Sequence, residues 1–211
     1  MRKSICYLLA IVLLTNCGAA RKIRYDGVNA DFPKSNLIVS IAIWDQRVQV
    51  TDGSRKPDFV GYMRSGAGIA YPMKTKSGKP FSNDMSYSIA SSLKESGSKV
   101  IVVGTKPDDS RSMIINKLKE SNSTTLLLLK CNEYHTDGYG AQYLNYDIDI
   151  IILDNAGSII KERKFSGKKP LGGNGFWGAG KYKTYMPAAF KNIMEEIFND
   201  QEFKGALAMK F

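Results

Sequence analysis

Asp147 and Asp149 are the residues of this sequence best spaced for acid–base chemistry. Two carboxyls two positions apart on an extended chain lie on the same side of it, roughly 6.5–7 Å apart. That separation falls within the ~6.5–9.5 Å of the carboxyl pairs that cleave glycosidic bonds with inversion, and peptidoglycan would be the substrate to hand. Catalytic carboxyls flank a cleft, though, and adjacent rungs of one strand do not. Lys161, Arg163 and Lys164 follow on the next expected strand and supply cross-strand partners, so a paired surface charge cluster is the expectation. Cys131 and His135 offer a thiol and the sole imidazole. On one strand they lie about 13 Å apart, too far for a nucleophile and its base, and one histidine gives a metal a single imidazole ligand. Cys131, in an apolar run, is expected to be a buried small hydrophobe, and His135, beside a turn, to be exposed. No catalytic residue, metal site or cofactor is assigned, and the chain is expected not to be an enzyme.

Two further groups of residues suit binding better than catalysis. Gly175-Phe176-Trp177-Gly178-Ala179-Gly180-Lys181 follows a phosphate-loop pattern as far as its lysine. The next residue is Tyr182, not the Ser or Thr that would hold Mg²⁺, and the preceding strand ends too early. A loop with two aromatic faces flanked by Lys168, Lys169, Lys181 and Lys183 can instead meet a glycan or an anionic partner. Lys168, Lys169, Phe176, Trp177 and Lys181 are therefore candidate binding residues. Asp45 and Arg47 close an apolar strand. They read first as an ion pair that fixes the strand end, and Arg47 also stands as a candidate partner contact.

Cys17 carries the one modification chemistry that the sequence points to. Arg2 and Lys3 precede an apolar run from Tyr7 to Leu14, close to the ~7–15 residues of a secretory signal and short of the ~20 that span a bilayer. Leu14-Thr15-Asn16-Cys17 resembles the lipobox of bacterial lipoproteins, whose cysteine thiol takes a diacylglyceryl thioether before cleavage frees its amine. Asn16 departs from the Gly, Ala or Ser usual there, and a plain secretory peptide cut near Ala19-Ala20 is the other reading. Two or three acyl chains, at ~0.8 kcal/mol per buried CH₂, anchor a domain effectively irreversibly. Gly18, not Asp, follows the cysteine, which favours an outer-membrane lipoprotein facing the periplasm.

The precursor has 211 residues and a formal charge of +10. Loss of the signal removes Arg2 and Lys3 and leaves about +8 on a chain long enough for one domain. Such a balance favours anionic lipid, lipopolysaccharide phosphate or an acidic protein surface. Export removes nucleic acid from reach. With Cys6 in the signal and Cys17 lipidated, Cys131 has no partner for a disulfide.

The elements that must position these residues are legible from periodicity. Residues 1–16 form the signal, 17–36 a lipidated tether without sustained pattern, and 37–211 a single domain. Buried strands are expected at Leu37–Trp44, Lys99–Gly104 and Thr124–Tyr134, with Val48–Val50 extending the first. An excursion from Thr51 to Pro80 holds two strands, Phe59–Ser65 and Gly68–Lys76. Gln142–Leu153 alternates, with Leu144, Tyr146, Ile148, Ile150 and Ile152 on one face. Asp154-Asn155-Ala156-Gly157 turns it into Ser158–Phe165, and a Gly-rich loop fills Gly167–Gly180. Helices are expected from Ser82 to about Ser96, with Met85, Ile89 and Leu93 inward and Tyr87 near them. Further helices run from Pro107 to about Glu120, from Tyr182 or Pro187 to Asn199, and over Glu202–Ala208. The fold class is α+β: a mixed sheet of about five to seven strands with two to three helices on one face.

This order of elements resembles the YajG-type family of bacterial lipoproteins, over roughly Ser35 to Asp200. The strand ending in Asp45-Gln46-Arg47, the Tyr146–Leu153 strand and the Asn155-Ala156-Gly157 turn carry the likeness. The resemblance implies a fold similar to the N-terminal domain of TolB and to lipoprotein activators of penicillin-binding proteins, and brings no catalytic residues with it. The long excursion and the Gly-aromatic loop depart from that pattern. The expected role is a non-enzymatic accessory domain that binds an envelope protein. The alternatives are a binder of an anionic envelope ligand (lipopolysaccharide, phospholipid or peptidoglycan) and an activator of a peptidoglycan synthase.

Overall fold

The computed structural model describes residues 21–65, 67–137, 141–174 and 181–208. Its strands are β1 (Lys22–Ile23), β2 (Ile38–Asp45), β3 (Phe59–Arg64), β4 (Ala70–Thr75), β5 (Lys99–Val103), β6 (Thr125–Thr136), β7 (Ala141–Asp154) and β8 (Ile159–Asn174). Its helices are α1 (Val48–Thr51), α2 (Phe81–Glu95), α3 (Arg111–Lys119), α4 (Tyr182–Phe198) and α5 (Gln201–Ala208). The strands form one mixed sheet, and the fold is α+β.

β6 is the axis of that sheet. One edge pairs antiparallel with β7, which pairs antiparallel with β8. The other edge is shared. Thr125–Cys131 pairs with β2 in parallel, and farther along Thr136 meets Gly61 of β3. Beyond β2 lies β5, and beyond β3 lie β4 and then β1. β2 and β6 read as continuous apolar runs because both of their faces are covered. Val39, Ile41, Ile43, Leu127 and Leu129 enter the main core beneath α2 and α4. Ala42, Leu126 and Leu128 enter a smaller core with Ile114 and Leu118 of α3. α3 thus sits on the opposite face from α2 and α4. The small side chains of Ser40 and Ala42 admit it, and the Ser40 hydroxyl donates to the Leu118 carbonyl at 3.3 Å. The five residues assigned to one face of β7 are all buried in the main core.

The sequence places a tether over residues 17–36, but residues 21–36 belong to the domain. β1 pairs with β4, and Ile23, Tyr25 and Ala30 are buried. Tyr25 meets Phe81 edge-on at 4.9 Å and Phe190 at 5.5 Å, and Phe81 stacks on Tyr134 at 4.3 Å. Beyond β1 the segment shows no periodicity, because side chains as well as backbone groups of the domain satisfy its backbone. The Ser88 hydroxyl of α2 donates to the Val28 carbonyl, and the Ser92 hydroxyl accepts from Ala30 N–H at 2.9 Å.

Several other boundaries differ from expectation; α3, for one, begins at Arg111 behind the Ser110 cap and not at Pro107. Val48–Thr51 forms a helical turn, not more strand, since the chain folds back there to bring Arg47 onto Asp45. β8 runs on through Lys168 and Lys169 to Asn174, because β7 is long enough to pair with it, with a register break between Pro170 and Asn174; a ready partner overrides poor local propensity. Gly167 is needed within it, as a Cβ there would sit 3.0 Å from the Tyr146 hydroxyl. β6 likewise continues through His135, whose side chain is half-buried and lies 3.6 Å from the Glu133 carboxylate. Of the two expected starts for α4 the structure has Tyr182, which leaves Pro187 in its sixth position.

Candidate functional site

The residues singled out from sequence do not converge. Arg47 is 1% exposed. Its Nε and Nη2 donate to the two Asp45 oxygens at 2.7 Å each, and its Nη1 and Nη2 donate to the Phe59 and Pro57 carbonyls at 2.6 and 3.2 Å. Its guanidinium lies 5.1 Å from the centre of the Phe81 ring. Burial works against the charge, and the bidentate carboxylate outweighs it, so the group is held more firmly ionised than usual. Arg47 is an internal brace between β2, the excursion and β6, and its side chain is closed to a partner.

Lys168 and Lys169 point to opposite faces of β8, as successive strand residues must. Lys168 caps the Tyr143 ring at 4.3 Å on the face shared with Asp147 and Asp149. Lys169 pairs with Glu196 of α4 at 2.5 Å. Lys181 is the N-cap residue of α4. Phe176 and Trp177 lie outside the described residues, as does Cys17. Asp147 and Asp149 share the Asn132 amide, at 3.3 and 2.8 Å, and Lys164 binds Asp147 at 2.7 Å. Of the three expected cationic partners only Lys164 serves them. Lys161 and Arg163 are in register with Ile152 and Ile150 on the other face and reach Glu202 and Asp200 near α5. Cys131 is buried, and burial pushes its thiol far above the usual range, so it stays protonated. Among the described residues no three metal-ligating side chains cluster, and no helix is long and apolar enough to cross a membrane.

A different place gathers recognition groups. A cavity of about 650 Å³ lies between α2 and β5. Val100 and Val102 form its strand wall, and Tyr87, Ala90, Ser91 and Lys94 its helix wall. Asp26, Ser77 and Lys79 close one end, and Asp84 lies at its base. Asp84 is 1% exposed. One of its oxygens accepts from the Ser77 hydroxyl at 2.7 Å; the other is buried and has no partner among the described residues. Burial raises its pKa, Ser77 opposes the shift, nearby Asp26 adds to it and Lys79 opposes it. Tyr87 is 50% exposed, with the Lys79 ammonium 5.4 Å over its ring. Tyr87 thus faces the groove and not the core. The spacing of Asp84, Tyr87, Ser91 and Lys94 puts them on one helical stripe beside the buried Met85–Ile89–Leu93 stripe. That polar stripe was the signal available in the sequence. The strand wall was not, because nothing local shows that β5 ends the sheet.

No protein-family model matches the chain, and no curated protein matches it. Solved structures do. A Xanthomonas campestris protein of the DUF330 family superposes with a TM-score of 0.53 at 12% identity, over 81% of this chain and 87% of that one. A hypothetical protein from Chlamydia trachomatis gives 0.48 at 12% identity, over 82% and 99%. A lipoprotein from Neisseria meningitidis gives 0.36 at 12% identity, over 74% and 96%. The first of these likenesses establishes a shared fold: this chain has the architecture of a bacterial DUF330 protein.

Proposed function

We propose that this chain is a non-enzymatic, lipid-anchored envelope lipoprotein of the YajG type, held in the outer membrane through Cys17, and that it binds a protein partner through the groove between α2 and β5. The observation that carries the binding site is Asp84, a buried carboxyl at the base of an open cavity with one oxygen left without a donor. An unpaired buried acceptor costs ~1–3 kcal/mol, a cost that a bound donor removes. The aromatic face of Tyr87 beside it is the kind of anchor that partners seat on. The lipobox supports the anchor, and the Cys17 thiol is the atom modified.

The test is photo-crosslinking in intact cells from a benzoylphenylalanine at position 87, with a second probe at Met113 on the exposed side of α3 as control. One dominant protein adduct from position 87, missing from position 113, is the expected result. A folded, lipidated protein that yields no protein adduct at position 87 would overturn the reading. The anchor is tested apart from the site: Cys17→Ala should lose palmitate labelling and leave the membrane fraction. A second reading, an anionic glycan or lipid on the open face of β7 and β8, rests on Lys168 over Tyr143. Salt-sensitive binding to sacculi or lipopolysaccharide that Lys168→Ala abolishes would favour it.

A further inference from the structure

β5 ends its side of the sheet. Among the described residues it pairs only with β2, in parallel, from Ile38↔Lys99 to Ala42↔Val103. A strand sends alternate peptide groups to opposite sides, so half of those of β5 point away from the sheet, and no described residue pairs with them. The edge is apolar, and Ile101 is 42% exposed. Val100 and Val102 face α2 and line the cavity that holds Asp84. A free strand edge and a ligand cavity with an unpaired carboxyl therefore share one wall.

We infer that the groove is a strand-addition site, in which an extended peptide segment of the partner pairs along β5 and sets one lysine or arginine side chain on Asp84. This rests on the groove being the binding site. Strands lie ~4.8 Å apart and side chains alternate between faces, so an added strand would project every second side chain to the α2 side, into the cavity. Main-chain hydrogen bonds supply affinity in such additions, and pockets for alternate side chains supply specificity. The cavity is lined by two carboxyls, Asp84 and Asp26, and two ammonium groups, Lys79 and Lys94. Asp26 pairs with Arg24, and it is the unpaired Asp84 oxygen to which a cationic side chain supplies the missing donor. The positive net charge of the chain does not decide this contact, because charges beyond a Debye length of ~8 Å are screened. A second copy of this chain fits poorly. Two β5 edges related by a two-fold axis normal to the sheet would keep their faces, bring the partner copy's valines into the groove and leave Asp84 unpaired.

The probe is an acetylated seven-residue peptide alternating threonine and lysine, titrated against the full lipidated chain in detergent by fluorescence anisotropy and hydrogen–deuterium exchange. Saturable binding is expected, with new protection at residues 99–103. Asp84→Asn should weaken it at least about tenfold, in line with the loss of a charge-assisted bond. A peptide with glutamate for lysine should not bind. Methylating the backbone nitrogens of one alternate set of peptide residues should abolish binding, and of the other set should spare it. Equal affinity for both methylated peptides, for Asp84→Asn, or for the glutamate peptide would overturn the inference. So would protection of 99–103 that appears with protein concentration alone, which would assign the edge to a second copy. A protein adduct from position 87 together with failure of these peptides would sink strand addition and leave the groove standing. Lipid or glycan adducts at position 87 would sink both.

Discussion

At the scale of single residues, two buried carboxyls have opposite consequences. Asp45 is satisfied by Arg47, and the pair ties the end of β2 to the carbonyls of Pro57 and Phe59. Removing one partner strands a buried charge, so Arg47→Ala should lose about 3–5 kcal/mol in urea unfolding, and Arg47→Lys, which cannot make the fork, a large part of that. Replacing both residues by apolar ones of similar size should cost less than either single change, which a double-mutant cycle would show. Asp84 is unsatisfied, and its pKa is raised above the ordinary 3.8. The folded state therefore keeps a proton that the unfolded chain has released. The stability from this is complete below 3.8 and is lost as pH rises through the folded value. Asp84→Asn, whose carbonyl can still accept from Ser77, removes that loss. Its unfolding midpoint should exceed that of the parent by a margin that grows as pH rises from 3.8 through the folded value and then levels off.

At the scale of elements, the weak joint is where β3 meets β6. Gly61 has φ +129, and a Cβ there would lie 2.7 Å from the Thr136 carbonyl. Gly61→Ala should cost at least about 1–3 kcal/mol from backbone strain alone. Exchange protection should fall first over residues 59–75, since the β3–β4 hairpin joins β6 through that contact. The same elements show what the sequence makes legible. Strands buried on both faces announce themselves by composition, as β2 and β6 do. A strand with one buried face announces itself by alternation, as in β7. The far half of β8 announces nothing: Gly167, Gly172 and Gly173 carry the signature of a loop, yet β7 pairs with this half of the strand at Gly167–Pro170 and again at Asn174. The serines of α2 were equally silent, since Ser88 and Ser92 are polar residues buried by a coil from 60 or more positions away.

At the scale of the whole molecule, the class and most of the element order were legible, because each helix carries one apolar stripe and each buried strand a run. The groove was not, for it depends on which strand lies at the edge, and pairing order is a property of the complete sheet. The N-terminal segment is the other difference of scale. Ile23 and Tyr25 are fully buried and, at ~1.5–3 kcal/mol per buried apolar side chain, account for a large share of a typical margin of ~5–15 kcal/mol. A chain beginning at Arg21 should still unfold cooperatively, whereas one beginning at Leu37 should show no cooperative transition by circular dichroism.

The packing of residues 21–36 also sets a leash. Asp26 lines the groove, nine positions after Cys17, and nine residues span at most about 32 Å when fully drawn out. If Cys17 carries acyl chains, as proposed, the groove would work in a thin layer above the bilayer and would not sweep the periplasm. On that proposal a segment that reached it would enter that layer, and a partner tethered in the same membrane would meet it in two dimensions, at a raised effective concentration.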